Sequence, residues 1–198
     1  MYNFQQANLR IGIAYTRREM WMNPETKANK TDISNKLFAL LDKDNVEVFS
    51  TDDLPAERRR IMVNGREILS SNNGFLSNYK DAFLAAEYFK EKKIDALFIG
   101  FCNYGQEDAI AKLAKELNVP VLLWGPRDLT PDPKAPYRPT DTQCGIFAAS
   151  KVLRRYGVTF TYIENCNIND SLFLEGFKRF LETARIFAMI LSYSTFDS

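Results

Sequence analysis

Along residues 95–128 the apolar positions change period twice, and the two changes together outline a complete structural unit. Ala96-Leu97-Phe98-Ile99 is a continuous apolar run, as a strand covered on both faces requires, and residues 100–105 interrupt it with small and polar side chains. Ala109, Ile110, Leu113, Ala114 and Leu117 then recur at helical spacing, with Glu107 and Asp108 in the first turn and Lys112 and Lys115 later, the charge order that suits a helix dipole. Asn118 ends that helix. Val119 to Trp124 is a second apolar run, with Pro120 near its start, where a missing N–H does least harm. Strand, helix and strand in this order predict a parallel β-α-β unit. Ligands of such sheets sit outside the carboxyl ends of the strands, so residues 102–106 and 125–128 are where chemistry should be sought.

The rest of the chain repeats the pattern. Leu9 to Tyr15 predicts a first strand and ends in the polar turn Thr16-Arg17-Arg18-Glu19. Ile33, Leu37, Leu40 and Leu41 predict a helix over 31–41, with Thr31 or Asp32 as its cap, after the punctuation of Asn23-Pro24. Val46 to Phe49 alternates as an edge strand would. Residues 52–74 fit either a broken helix or an irregular connection. An amphipathic helix over 81–93 leads into the strand at Ile94, and four prolines crowd the end of a long loop over 125–140. Thr140 and Gln143 have capping-box spacing before a helix that carries Ile146, Phe147, Ala149, Val152 and Leu153. A fifth strand over 158–163 and a last helix from Asp170-Ser171 through Ala184 complete the series. The expected fold is therefore α/β: a single domain over 1–198, a flavodoxin-like doubly wound three-layer sandwich with a five-stranded, mainly parallel sheet in the order 2-1-3-4-5. The end, 188–198, reads as truncated, with an apolar Met189-Ile190-Leu191 that looks buried and no further element after it.

Composition narrows the function more than it narrows the fold. A formal net charge of +1 gives no electrostatic reason to expect a nucleic acid or a membrane surface as partner. The dense basic run Arg58-Arg59-Arg60 reads as a solvated helix face. Three widely spaced cysteines, Cys102, Cys144 and Cys166, point to a reducing compartment, and with no apolar leader or membrane-length run the expected location is the cytoplasm. The sequence has 0 histidines, which removes Ser-His-Asp and Cys-His machinery and imidazole metal ligands.

At the expected carboxyl edge there is no glycine-rich phosphate loop after the first strand, no acidic pair of a phosphate-receiving domain, and no nucleotide fingerprint. What the edge does offer is Arg17 or Arg18, Asn103, Gln106, Trp124 and Arg127. Arginine presents a fixed fork of donors, the amides both donate and accept, and an indole has a flat apolar face, a set suited to a hydroxyl-rich ligand. Each also has a structural reading: plain surface charges for the arginines, a helix cap for Asn103, core packing for Trp124. Cys102 stands near a helix N-terminus, which lowers a thiol pKa, but has no histidine to pair with. Cys144 beside Gly145 reads as tight helix packing.

Several runs in order also carry a resemblance: Tyr15-Thr16-Arg17-Arg18, Asn103-Tyr104-Gly105-Gln106-Glu107, Val121 to Asp128, and Asp141-Thr142-Gln143-Cys144-Gly145 before a helix ending Leu153-Arg154-Arg155. In these the chain resembles the N-terminal domain of L-fucose and L-arabinose isomerase-like sugar isomerases. The resemblance implies an aldose–ketose isomerase with a small sugar substrate, a homo-oligomer, and a divalent metal, manganese, held by C-terminal domains that follow this one. It implies no metal ligand, no cofactor and no catalytic residue here, and makes Arg17 or Arg18 the sugar contact. The competing expectations are a free-standing, non-enzymatic sugar-binding or regulatory domain, and a cysteine-dependent hydrolase or redox protein.

Overall fold

Three strands alternate their side chains between two apolar layers. In the computed structural model, which describes residues 8–18, 24–41, 46–54, 60–63, 66–69, 74–130, 133–134 and 140–194, these are β1 (Leu9–Thr16), β6 (Ala96–Phe101) and β7 (Val121–Trp124). Leu9, Ile11, Ile13 and Tyr15 of β1 share one layer with Phe98 and with Leu122 and Trp124. Ala14, Leu97, Ile99, Phe101, Val121 and Leu123 point into the other. Complete burial of such side chains contributes about 1.5–3 kcal/mol each, so these three strands anchor the domain.

The first layer is closed by α1 (Pro24–Leu41), through Ile33, Leu37 and Leu41, and by α5 (Ser171–Ser194), through Phe173, Phe177, Phe180, Leu181 and Ala184. The second is closed by α2 (Tyr79–Lys92), α3 (Glu107–Leu117) and α4 (Thr142–Arg155). Between them lies the sheet, ordered β2-β1-β6-β7-β8, with β2 at Val46–Ser50 and β8 at Thr161–Tyr162. Every pairing in it is parallel. Counting only these five strands, this is the expected 2-1-3-4-5 order and a flavodoxin-like fold. Among the described residues no helix is long and apolar enough to cross a membrane.

Beyond a 3-10 turn that ends at Asp53, the described residues within 52–74 are neither helical nor wholly irregular. They contain an antiparallel hairpin, β3 (Arg60–Val63) with β4 (Arg66–Leu69), and lead into the short β5 (Phe75–Leu76), which adds a sixth strand beside Tyr15 and Thr16 of β1. Asn64-Gly65, the dipeptide that favours two-residue hairpin loops, stands between β3 and β4 in the sequence and was the available signal. Of the basic run, Arg60 opens β3 rather than a helix, while Arg58 and Arg59 lie outside the described residues.

Three boundaries also move. Helix α1 begins at Pro24, where proline's missing N–H matters least, so Thr31 and Asp32 are interior residues and not caps. Its first two turns bury only Thr26, which is why apolar spacing did not reveal them. Strand β8 is limited to two exposed residues. Helix α5 runs ten residues beyond Ala184, and Ile190 is 61% exposed rather than buried. The side chain of Leu191 and residues 195–198 lie outside the described residues.

Of the tight packing expected at Cys144-Gly145, only Gly145 takes part; Cys144 is exposed. A Cβ on Gly145 would stand 1.8 Å from the backbone carbonyl oxygen of Tyr104, so α4 rests directly on the β6–α3 loop. Gly145→Ala is expected to lower the unfolding free energy by about 3 kcal/mol, the upper end for overpacking. Urea denaturation measures this, and unchanged stability would contradict the close approach.

Candidate functional site

Thr16, the last residue of β1, and Asn103, just past β6, are both 0% exposed and organise the carboxyl edge. The Thr16 hydroxyl donates to the Leu76 carbonyl of β5 (3.0 Å) and accepts from the backbone N–H of Gln106 at the start of α3 (3.0 Å). The Thr16 carbonyl accepts from the Cys102 N–H at 3.0 Å. Asn103 Oδ1 accepts two backbone N–H groups, from Arg18 (2.8 Å) and Gly105 (3.0 Å), while its Nδ2 donates to Thr26 Oγ1 (3.3 Å) in the first turn of α1. The turn itself needs glycine: Gly105 has φ +79°, in the left-handed region, and a Cβ there would stand 2.8 Å from Thr16 Cγ2. The result is one hydrogen-bonded unit made of the β1–α1 and β6–α3 loops.

Arg18 lies on that unit. Its Nε donates to the Gly105 carbonyl (3.3 Å), its guanidinium pairs with Glu107 and lies over the Tyr104 ring at 4.3 Å from the centroid. The side chain keeps 28% of its surface exposed, with Nε and Nη2 already engaged by Gly105 and Glu107. Gln106 is half-buried, with its backbone at the α3 N-cap and its side chain making no capping bond. Arg18, Asn103 and Gln106 are thus brought together. Arg17 turns the other way: it is 6% exposed, donates from Nε to Ser77 Oγ (3.0 Å) and stacks over Phe75 (4.8 Å).

Trp124 and Arg127 stand apart from that group. Trp124 is 1% exposed and packs on Phe173 with 4.7 Å between ring centroids, so its faces belong to the α1/α5 layer. Arg127 is exposed and pairs loosely with Asp170 at 3.8 Å. The loop between them is held by residues that apolar patterning does not reveal. Asp128 accepts from the backbone N–H of Thr142 (2.7 Å) and Gln143 (3.0 Å) and from the Thr140 hydroxyl (2.7 Å). It therefore replaces the expected Thr140–Gln143 capping box as the cap of α4, whose N-cap residue Asp141 has left-handed φ and makes no side-chain cap bond. Asn165 donates to the Gly125 carbonyl (3.2 Å) and the Thr142 hydroxyl (2.7 Å). The only hints in sequence were the capping residue types themselves.

Neither buried cysteine is set up as a nucleophile. Cys102 is 0% exposed, and burial pushes its thiol far above the ordinary range, the opposite of nucleophile activation. Cys166 is also buried and raised by burial, partly offset by the neighbouring Trp124 indole N–H. The chain has 0 histidines, and among the described residues no three Cys, Asp or Glu side chains stand together as metal ligands. The edge can position a polar ligand, and its chemistry is that of oriented donors and acceptors.

Residues 56–190 match the family described as fucose/sulfoquinovose isomerase, N-terminal domain. The chain belongs to this isomerase N-terminal-domain family. Asn103, Gln106, Trp124 and Arg127 fall inside the match, while Arg17, Arg18 and the whole of β1 and α1 precede it. No curated protein matches the chain. Among solved structures, an azoreductase from Bacillus anthracis str. Sterne is 9% identical, with 89% of this chain and 99% of that chain covered and a TM-score of 0.33. Azoreductase AzrA is 11% identical over the same shares, with a TM-score of 0.34.

Asn103→Ala leaves two backbone donors without their acceptor and is expected to destabilise the domain by about 3 kcal/mol, given about 1–3 kcal/mol per unsatisfied buried group. Chemical denaturation checks this, and a loss below ~1 kcal/mol would show that the two loops do not depend on this amide.

Proposed function

We propose that this domain supplies sugar contacts and subunit contacts to a metal-dependent aldose–ketose isomerase of the L-fucose or L-arabinose type, and that it does not catalyse alone. The observation that carries the reading is the preorganised set at the carboxyl edge, Arg18 fixed by Glu107 and Gly105 beside the buried Asn103, in a chain of this isomerase family. Rigidly held donors lose little freedom on binding a hydroxyl-rich ligand, which favours affinity and orientation. A divalent metal, manganese by expectation, would polarise the sugar oxygens. Its ligands would belong to C-terminal domains, since the residues described here do not fit one. Three free thiols, Cys102, Cys144 and Cys166, suit the cytoplasm.

The alternative is a free-standing, non-enzymatic sugar-binding or regulatory domain. Such a domain should be closed all round, whereas one that packs against further domains or subunits should expose apolar surface. Ile186 and Ile190 of α5 are 60% and 61% exposed. They lie on the helix that also contributes Phe180 and Phe187 to an open groove with Val119, Pro120, Val158 and Phe160. This supports the isomerase reading over the free-standing one.

Incubated alone with Mn2+ and L-fucose, the 198-residue chain is expected to form no ketose. In an isomerase assembled from this domain and metal-bearing domains, Arg18→Ala is expected to raise KM for the sugar about tenfold, the loss of one charged hydrogen bond, with kcat little changed. Turnover by the chain alone, or an unchanged KM, would overturn the proposal.

A further inference from the structure

Helix α5 buries one face and leaves the opposite one in solvent, and the outer face carries an ordered pattern. Phe173, Phe177, Phe180, Leu181 and Ala184 are buried in the first layer. Leu172, Glu175, Arg179, Glu182 and Ile186 recur at steps of three and four residues and are all exposed, and Ile190 continues the stripe. At about 3.6 residues per turn these positions fall on the side of the helix turned away from the core. Steps of three and four are also the spacing of a helix–helix seam. The seam is apolar at both ends, where Leu172 is 47% exposed and Ile186 and Ile190 are 60% and 61% exposed, and it is charged in the middle. Arg179 stands 3.8 Å from Glu175 of its own helix, and the two side chains keep 78% and 68% of their surface exposed, so the guanidinium has donors left for a second carboxylate.

The charge order selects what can cover this face. Laid in parallel on a second copy of itself, the seam would put Arg179 against Arg179 and Glu182 against Glu182, like charges that repel. Turned antiparallel about a two-fold axis between Arg179 and Glu182, it puts Arg179 of each copy opposite Glu182 of the partner subunit, twice in one interface. The same register carries Ile190 over Leu172 of the partner subunit at both ends. Charged positions inside an apolar seam fix register and orientation in this way. A helix of 24 residues is about 36 Å long, enough to hold both ends and the centre of such a contact. We infer that the outer face of α5 docks a second copy of this chain, antiparallel, with Arg179 and Glu182 paired across the two-fold axis. The inference deepens the subunit-contact part of the proposed function, and rests on it, by naming the surface and its symmetry.

Sedimentation equilibrium of the 198-residue chain tests this, with the protein between ~1 and ~100 μM. A monomer–dimer equilibrium is expected. Arg179→Glu and Glu182→Arg each set like charges against one another at both junctions, and each is expected to weaken the dimer at least about tenfold. The double variant exchanges the two partners and is expected to return the dimer to within about threefold of the parent affinity. Both positions are exposed, and circular dichroism verifies that the variants fold. A chain that stays monomeric throughout overturns the α5 surface, and the KM of the Arg18→Ala isomerase then decides the sugar-contacting reading separately. A dimer that neither single reversal weakens overturns the α5 surface and leaves subunit contacts standing at another face. A double variant as weak as the single ones overturns the antiparallel arrangement.

Discussion

The side-chain oxygen of Asn103 accepts from two loops at once, and most of the carboxyl edge depends on it. Its bonds to the Arg18 and Gly105 N–H groups join the ends of β1 and β6, the two central strands on either side of the point where the chain reverses its direction across the sheet. Its amide nitrogen reaches Thr26, which ties α1 to the same unit. Thr16 extends the connection to β5 and to the first N–H of the α3 region. Buried polar networks of this kind rigidify when every member is satisfied and are costly when one is lost, so the edge behaves as one body rather than as separate loops.

That rigidity carries over to the side chains that stand on the edge. Arg18 is held by a carboxylate, a carbonyl and an aromatic face, so its remaining donors point in a fixed direction. Asp128 and Asn165 do the same for the 125–128 loop, by fixing it to α4 and to the β8 side of the sheet. Among the described residues no three potential metal ligands stand together, and burial pushes the Cys102 thiol away from reactivity.

The sandwich was legible because burial on both faces leaves a plain trace. Runs such as 96–99 and 121–124 are apolar without interruption, and the spacing in α3 and α4 is strongly periodic. What escaped was set by polar contacts between distant segments. Asp128 caps a helix that begins fourteen residues later, and no local spacing encodes that; Thr140 and Gln143 had the right separation and lost the role to it. The start of α1 was hidden because its first turns bury almost nothing. Among the candidate residues, Arg18, Asn103 and Gln106 converge, whereas Arg17 and Trp124 were drawn into packing, against Phe75 and Phe173, by aromatic neighbours far along the chain.

The most direct measurement is amide hydrogen exchange at Arg18 and Gly105, compared between the parent protein and Asn103→Ala. If one buried amide unites the edge, both N–H groups exchange slowly in the parent, near the rate of the central strands, and both lose protection together in the variant. Rapid exchange at either position in the parent, or protection that survives the substitution, would contradict a carboxyl edge organised by Asn103.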